Sequence, residues 1–152
     1  MTARDIRLRP VEDDDLPIFF GHQQDPVAIE MAAFPARDRA TFDDHLARIR
    51  ADRSVTFRTI LVDGRVAGNI VAWDDLGKHT VGYWLGREFW GRGIATAALT
   101  AFLDEVAIRP LFAHVAKHNA GSARVLEKCG FRVVGTARIE PEGIDELVLR
   151  LG

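Results

Sequence analysis

Residues 80–131 restrict the fold more than any other stretch, because in them a short apolar run, a glycine turn and an alanine-rich amphipathic segment follow one another directly. Val81-Gly82-Tyr83-Trp84-Leu85 is short, aromatic and β-branched, and reads as a strand. Ile94, Ala98, Phe102 and Val106 then recur at helical spacing behind Trp90-Gly91-Arg92-Gly93. A strand, a glycine loop and a helix in this order present free backbone N–H groups at a helix start, where the dipole favours negative charge. The segment therefore reads either as a phosphate cradle or as a tight turn whose glycines relieve backbone strain.

The rest of the chain fits around this segment. Ile6-Arg7-Leu8-Arg9 alternates like a strand with one buried face and ends at Pro10. Asp13-Asp14-Asp15 leads a helix through Leu16–Phe20, broken by Gly21 and Asp25-Pro26, with another short helical turn over Val27–Met31. Ala32 to Arg39, with Pro35, is a connector. Thr41-Phe42-Asp43-Asp44 resembles a capping arrangement for a helix reaching about Asp52, with Phe42, Leu46 and Ile49 on one face. Val55–Val62 and Arg65–Trp73 are β-rich runs joined by Asp63-Gly64, a hairpin signal, and a looser turn over 74–78 leads to the strand at Val81. After Arg109-Pro110 comes a strand over Leu111–Ala116, then a short helix over Ser122–Cys129 closed by Gly130 as a left-handed cap. A last hairpin over Phe131–Arg138 and Ile144–Leu151 turns at Pro141-Glu142-Gly143. The pattern predicts one α+β domain over residues 1–152 with a mostly antiparallel sheet, and no repeat or linker.

Composition narrows the function classes. A net charge of −2 argues against a dedicated nucleic-acid surface, which is usually strongly basic. The single cysteine, Cys129, excludes an internal disulfide and reads as a small buried residue rather than a nucleophile. No apolar run approaches the ~18 residues needed to span a bilayer, and the N-terminal residues have no signal-like apolar core. The expectation is a soluble, cytoplasmic protein.

No Gly-Lys-Ser or Gly-Lys-Thr closes the glycine loop, so it is not a nucleotide P-loop. Gly91 and Gly93 have dinucleotide-loop spacing, but Thr96 stands at the third glycine, and Lys117-His118-Asn119 follows the next strand with no acid. A nicotinamide enzyme is thereby disfavoured. His114 and His118 are four apart but fall on a strand and a turn without a third ligand, so no metal is expected. Ser54 and Ser122 lack a nucleophile-elbow context, which argues against a serine hydrolase.

Two motifs carry a family resemblance. Trp90-Gly91-Arg92-Gly93-Ile94-Ala95 resembles the acyl-CoA loop of the GNAT (GCN5-related) N-acetyltransferases, with Trp90 in place of the usual Gln or Arg. That substitution resembles the ribosomal-protein N-terminal acetyltransferase branch. Asn119-Ala120-Gly121-Ser122, continuing to Glu127-Lys128-Cys129-Gly130-Phe131, is similar to the family's Asn-x-x-Ser and Glu-Lys-x-Gly-Phe segment. The resemblance spans nearly the whole chain and implies the GNAT fold: a mixed sheet with a splayed strand pair, flanked by helices. It also implies acetyl-CoA as cosubstrate, an amine acceptor, no metal, no nucleic-acid or membrane partner, and a monomer or homodimer.

By that resemblance, the N–H groups of Arg92, Gly93, Ile94 and Ala95 would meet the pyrophosphate, with Gly91 and Gly93 letting the backbone approach and the Thr96 hydroxyl adding a donor. Arg92 would add charge or remain a solvated loop residue. Backbone groups of Tyr83, Trp84 and Leu85 would bond the pantetheine amides like an added strand, though both aromatics also suit core packing, and a strand N–H near Trp84 would polarise the thioester carbonyl. Asn119 would contact the pantetheine arm or serve as a turn residue. Ser122 would donate a proton to the departing thiolate or cap its helix. Leu126 occupies the position where many members carry a proton-donating tyrosine. No general base is assigned: Thr80 falls where a carboxylate is common, and Asp74, Asp75, His79, Glu30, Glu140 and Glu146 are candidates. The acids Glu140, Glu142, Asp145 and Glu146 would attract a cationic amine or simply be solvated. The alternative is a non-catalytic CoA-binding module, because neither tyrosine nor base is in place.

Overall fold

The computed structural model describes residues 5–33, 36–140 and 143–152. Strand β1 (Ile6–Pro10) is followed by a 3-10 turn (Asp13–Asp15) and helices α1 (Leu16–His22), α2 (Pro26–Ala32) and α3 (Arg39–Ala51). A meander β2 (Thr56–Val62), β3 (Arg65–Asp75) and β4 (Lys78–Leu85) precedes a 3-10 turn (Arg87–Phe89), α4 (Ile94–Glu105), β5 (Leu111–Ala116), α5 (Ala120–Lys128), β6 (Arg132–Ile139) and β7 (Ile144–Leu151). The strands form one sheet in the order β1-β2-β3-β4-β5-β7-β6. Every neighbouring pair is antiparallel except β4 and β5, which are parallel. The α+β expectation and the mixed sheet are borne out.

The turns explain the meander. Asp63 and Gly64 take φ of 49° and 81°, and Leu76 and Gly77 repeat the pattern at 51° and 87°. Both are two-residue hairpin turns whose twist matches paired strands. The looser turn expected over 74–78 is therefore tight, and β4 begins at Lys78 rather than Val81. Leucine is an unusual choice at positive φ, which hid this turn from the sequence pattern.

The two faces of the sheet carry separate cores. Ile70 and Ala72 of β3, Val81 of β4, and Leu111, Ala113 and Val115 of β5 pack against Ile94, Ala98 and Phe102 of α4. Val71 and Phe57 face the other way, onto Phe19, Phe42 and Leu46 of α1 and α3. Phe102 is fully buried, and truncating such a phenylalanine to alanine costs about 3–5 kcal/mol.

Several local expectations are corrected. Gly21 lies inside α1. The cap of α3 is Asp38, whose Oδ1 accepts the Thr41 N–H at 2.8 Å, not the Thr41–Asp44 box. Helix α5 begins at Ala120, ahead of Ser122, and Gly130 ends it with φ of 97° as expected. Asp15 is more than a dipole acid: it is buried, and takes Arg9 Nη1 at 2.6 Å and the Thr59 hydroxyl at 2.6 Å. This ties the first helical turn to β1 and β2. Pro35 in the connector, and Pro141 and Glu142 at the last hairpin, lie outside the described residues.

Candidate active site

Strands β4 and β5 pair only at Thr80 and Phe112. Two residues further along each strand, Gly82 and His114 no longer pair, and the sheet opens into a V. Trp84 is held to one side, its Nε1–H donating to the His22 carbonyl at 3.2 Å. A cleft of about 690 Å³ fills the V, walled by Val81, Gly82 and Tyr83 on one strand and by Ala113, His114 and Val115 on the other.

The splay leaves backbone groups of β4 without a strand partner. The Gly86 N–H bonds the Ala67 carbonyl of the β3 side at 2.9 Å, which fixes the alternation along β4. Trp84 therefore directs its backbone groups at β3, while Tyr83 and Leu85 direct theirs at the gap. The Leu85 carbonyl is taken by Trp90 Nε1–H at 3.1 Å. Among the three residues expected to offer backbone groups, Tyr83 and Leu85 face the opening and Trp84 does not. Its indole and backbone instead brace one wall.

The glycine loop stands at the same end. Gly91 and Gly93 have φ of 71° and 75°, in the left-handed region, and an added Cβ at either would meet nothing within 4 Å. Their glycines thus answer to backbone conformation, with open space in front. The first α4 bond runs from the Ala97 N–H to the Gly93 carbonyl at 3.1 Å. The N–H groups of Ile94, Ala95 and Thr96 precede it and point out of the helix start, with Arg92 and Gly93 just ahead. Trp90 packs against the core with its indole clamped to β4, so it fixes the loop to the strand. An anionic chain such as a pyrophosphate fits this donor set.

The opposite wall is the start of α5. Asn119 caps this helix, its Oδ1 accepting the Ser122 N–H at 3.2 Å. Ser122 is thus not the cap; it lies in the first turn, and its Oγ sits 2.7 Å from the Tyr83 hydroxyl. Burial pushes the Tyr83 phenol up to about 12, against the opposing pull of the Ser122 hydrogen bond. Leu126 is core, as its chemistry requires. Cys129 is half-buried, its sulfur 3.7 Å from the Thr96 carbonyl oxygen, which joins α5 to α4.

On the far face of the sheet, His114 Nδ1 lies 3.4 Å from Glu146 Oε1 of β7, and both line the cleft. Gly82 places no side chain over this face; a Cβ there would sit 3.5 Å from the Trp73 ring. The sequence pattern weighed His114 only as a metal ligand. The signal it held was strand alternation, which puts His114 on the face away from the α4 core. His118 is elsewhere, its ring Nε2–H donating to the Glu30 carbonyl at 2.8 Å. No group of three or more His, Cys, Asp or Glu side chains that could hold a metal occurs among the described residues.

The other base candidates separate cleanly. Thr80 is buried and donates to the Lys78 carbonyl at 3.0 Å. Asp75 and His79 do not line the cleft, and Asp74 lines it as an exposed residue. Glu140 and Asp145 are each held by Arg138, at 2.9 and 3.1 Å. Glu146 alone of the described hairpin acids reaches the cleft.

Comparison with known proteins places this geometry. Residues 5–132 match the family model described as an acetyltransferase (GNAT) domain. A probable N-acetyltransferase of Bacillus subtilis, YjcK, is 40% identical over 62 residues, which are 38% of this chain and 34% of that protein's length. The spermidine N-acetyltransferase of Vibrio cholerae, solved with CoA and spermine, superposes with a TM-score of 0.82 at 16% identity, over 96% of this chain and 94% of that one. Mycobacterium smegmatis RimJ, solved with CoA-disulfide, gives 0.77 at 24% identity, over 96% and 81%. At these identities the structural matches establish the fold alone.

Proposed function

Because the chain belongs to the GNAT acetyltransferase family, we propose that it transfers an acetyl group from acetyl-CoA to a primary amine by direct attack. The observation that carries this reading is the V between β4 and β5, with the glycine loop at its end and side chains suited to proton transfer on both faces. Acetyl-CoA supplies a thioester, whose carbonyl is the electrophile. The N–H groups opening α4 receive its phosphates, and the gap-facing backbone of Tyr83 and Leu85 receives its amide arm as an added strand. A gap-facing N–H of Tyr83 or Leu85, rather than of Trp84, polarises the carbonyl oxygen.

Attack needs a neutral amine, and an alkyl ammonium near pKa ~10.4 holds its proton at neutral pH. The amine enters the cleft from the His114 face, where the Trp73 ring lies across Gly82. Glu146 Oε1 stands 3.4 Å from Nδ1, and the imidazole takes the proton at its other nitrogen, Nε2. On the other face Ser122 and Tyr83 meet the departing sulfur. A phenol at about 12 is a weaker acid than a thiol near ~8.5 by roughly 3–4 units. Tyr83 and Ser122 therefore hydrogen-bond the departing thiolate without being the net source of its proton, which comes from solvent.

The test is release of free thiol from acetyl-CoA in the presence of α-amines and side-chain amines. Amine-dependent release is expected. Acetyl-CoA binding with no amine-dependent release across the panel would favour the non-catalytic module.

A further inference from the structure

On the His114 face of the sheet, the second core is open toward the cleft. Ile49 of α3, Val55 just ahead of β2 and Val71 of β3 pack against Phe57 and Leu46 but are only partly buried themselves. All of them line the cleft. Trp73 of β3 joins them, its ring 3.5 Å from where a Gly82 Cβ would stand. The strand registers explain the grouping. Phe57 pairs with Val71 and Val71 with Gly82, while Thr59 pairs with Asn69 and Asn69 with Trp84, so all of these share one face. The floor that meets the β4–β5 opening is therefore apolar.

Charge gives this floor no preferred sign. Arg37, Arg48, Asp52 and Asp74 all line the cleft, two of each sign, and the last three are exposed. Asp52 is engaged locally, accepting the Ser54 N–H at 2.9 Å and the Ser54 hydroxyl at 2.7 Å. One polar side chain lies deeper. Asn69 is 8% exposed and lines the cleft beside Val71. Its carboxamide has no hydrogen-bond partner among the described residues. Its two neighbours on that face are both satisfied: the Thr59 hydroxyl donates to Asp15 Oδ2 at 2.6 Å, and the Trp84 indole to the His22 carbonyl at 3.2 Å. A buried amide is costly unless something bonds it, and the space in front of this one is the cleft.

Resting on the transferase reading above, we propose that the acceptor is a small amine with an apolar, uncharged body seated on Ile49, Val55, Val71 and Trp73, and that Asn69 sets specificity by bonding one neutral polar group of that body. A carboxamide offers both a donor and an acceptor, so it meets a hydroxyl or an amide without demanding charge. A volume of about 690 Å³ with an apolar floor and few polar groups is that of a small-molecule site. A polyamine or an amino sugar would set its own charges or hydroxyls against that floor unpaired.

The experiment compares kcat/KM for phenylethylamine, its β-hydroxylated analogue, phenylalaninamide, spermidine and glucosamine, with wild type, Asn69→Leu and Ile49→Gln. In wild type the three aryl amines should exceed spermidine and glucosamine at least about tenfold, and the hydroxyl or the amide should add about tenfold over phenylethylamine, through KM. Asn69→Leu should bring that second ratio to about one. A loss of folded enzyme cannot imitate this, because it lowers all amines alike. Ile49→Gln should narrow the first ratio, again through KM. Spermidine or glucosamine used as well as the aryl amines would overturn the proposal. So would a hydroxyl and amide preference that is absent from wild type or survives Asn69→Leu. Acetyl-CoA binding with no acetylation of any amine would fail the transferase reading itself, and this proposal with it.

Discussion

Tyr83 and Ser122 act as one unit, since a 2.7 Å contact joins their hydroxyls across the V. Ser122→Ala should lower kcat roughly 10–100-fold with little change in KM for acetyl-CoA, and Tyr83→Phe about tenfold. The double variant should be no worse than Ser122→Ala alone, because both substitutions break one bond. Additive losses measured at saturating substrate would separate the two roles. His114→Gln has a different signature. Its deficit should be about 100-fold near neutral pH and shrink as pH approaches that of the free amine, where no base is needed. Such pairings were only half legible in the sequence. Ser122 was marked by its place in a motif, but Tyr83 read equally well as core, and His114 meets Glu146 only through the β5–β7 register. Long-range pairing of this kind has no local signature.

Two glycines of the site region carry opposite burdens. A Cβ at Gly68 would stand 2.1 Å from the Trp84 carbonyl oxygen and 2.9 Å from Leu85 Cα. Both are backbone atoms of β4, so the strand itself must move. Gly68→Ala should cost about 3 kcal/mol or more, a sharp fall in the unfolding midpoint. Gly91→Ala meets open space and only a left-handed φ, which costs about 1 kcal/mol. Its main effect should be weaker acetyl-CoA binding, because the methyl group occupies the cradle. A Gly68→Ala protein as stable as wild type would refute the crowding argument. The loop, α4 and the first hairpin were readable because glycine, alanine and periodicity speak locally. The Leu76–Gly77 turn was not, since leucine seldom takes positive φ. The cap of α3 was misplaced by three residues because Asp38 and Thr41 carry equivalent capping chemistry.

The molecule as a whole is pinned at one buried charge. Burial alone would raise the Asp15 carboxyl, but hydrogen bonds from Arg9, Thr59 and the Glu12 backbone hold it down at about 2. A carboxylate depressed in the folded state stabilises above its unfolded value near ~3.9. That contribution, about 2 kcal/mol, should be lost as pH falls from about 4 toward 2. Asp15→Asn should flatten the acid limb of the stability curve while lowering stability at pH 7. The order of elements was visible from the chain, and with it the fold; the V was implied by family resemblance and is explained by a single β4–β5 pair. The central claim is that this V seats acetyl-CoA, and an unfolding scan with and without that molecule tests it most directly. At ~100 times Kd the account predicts about 2.7 kcal/mol of added stability, a rise of about 5–10 °C, sharply reduced in Gly91→Ala. No rise at millimolar acetyl-CoA would contradict it.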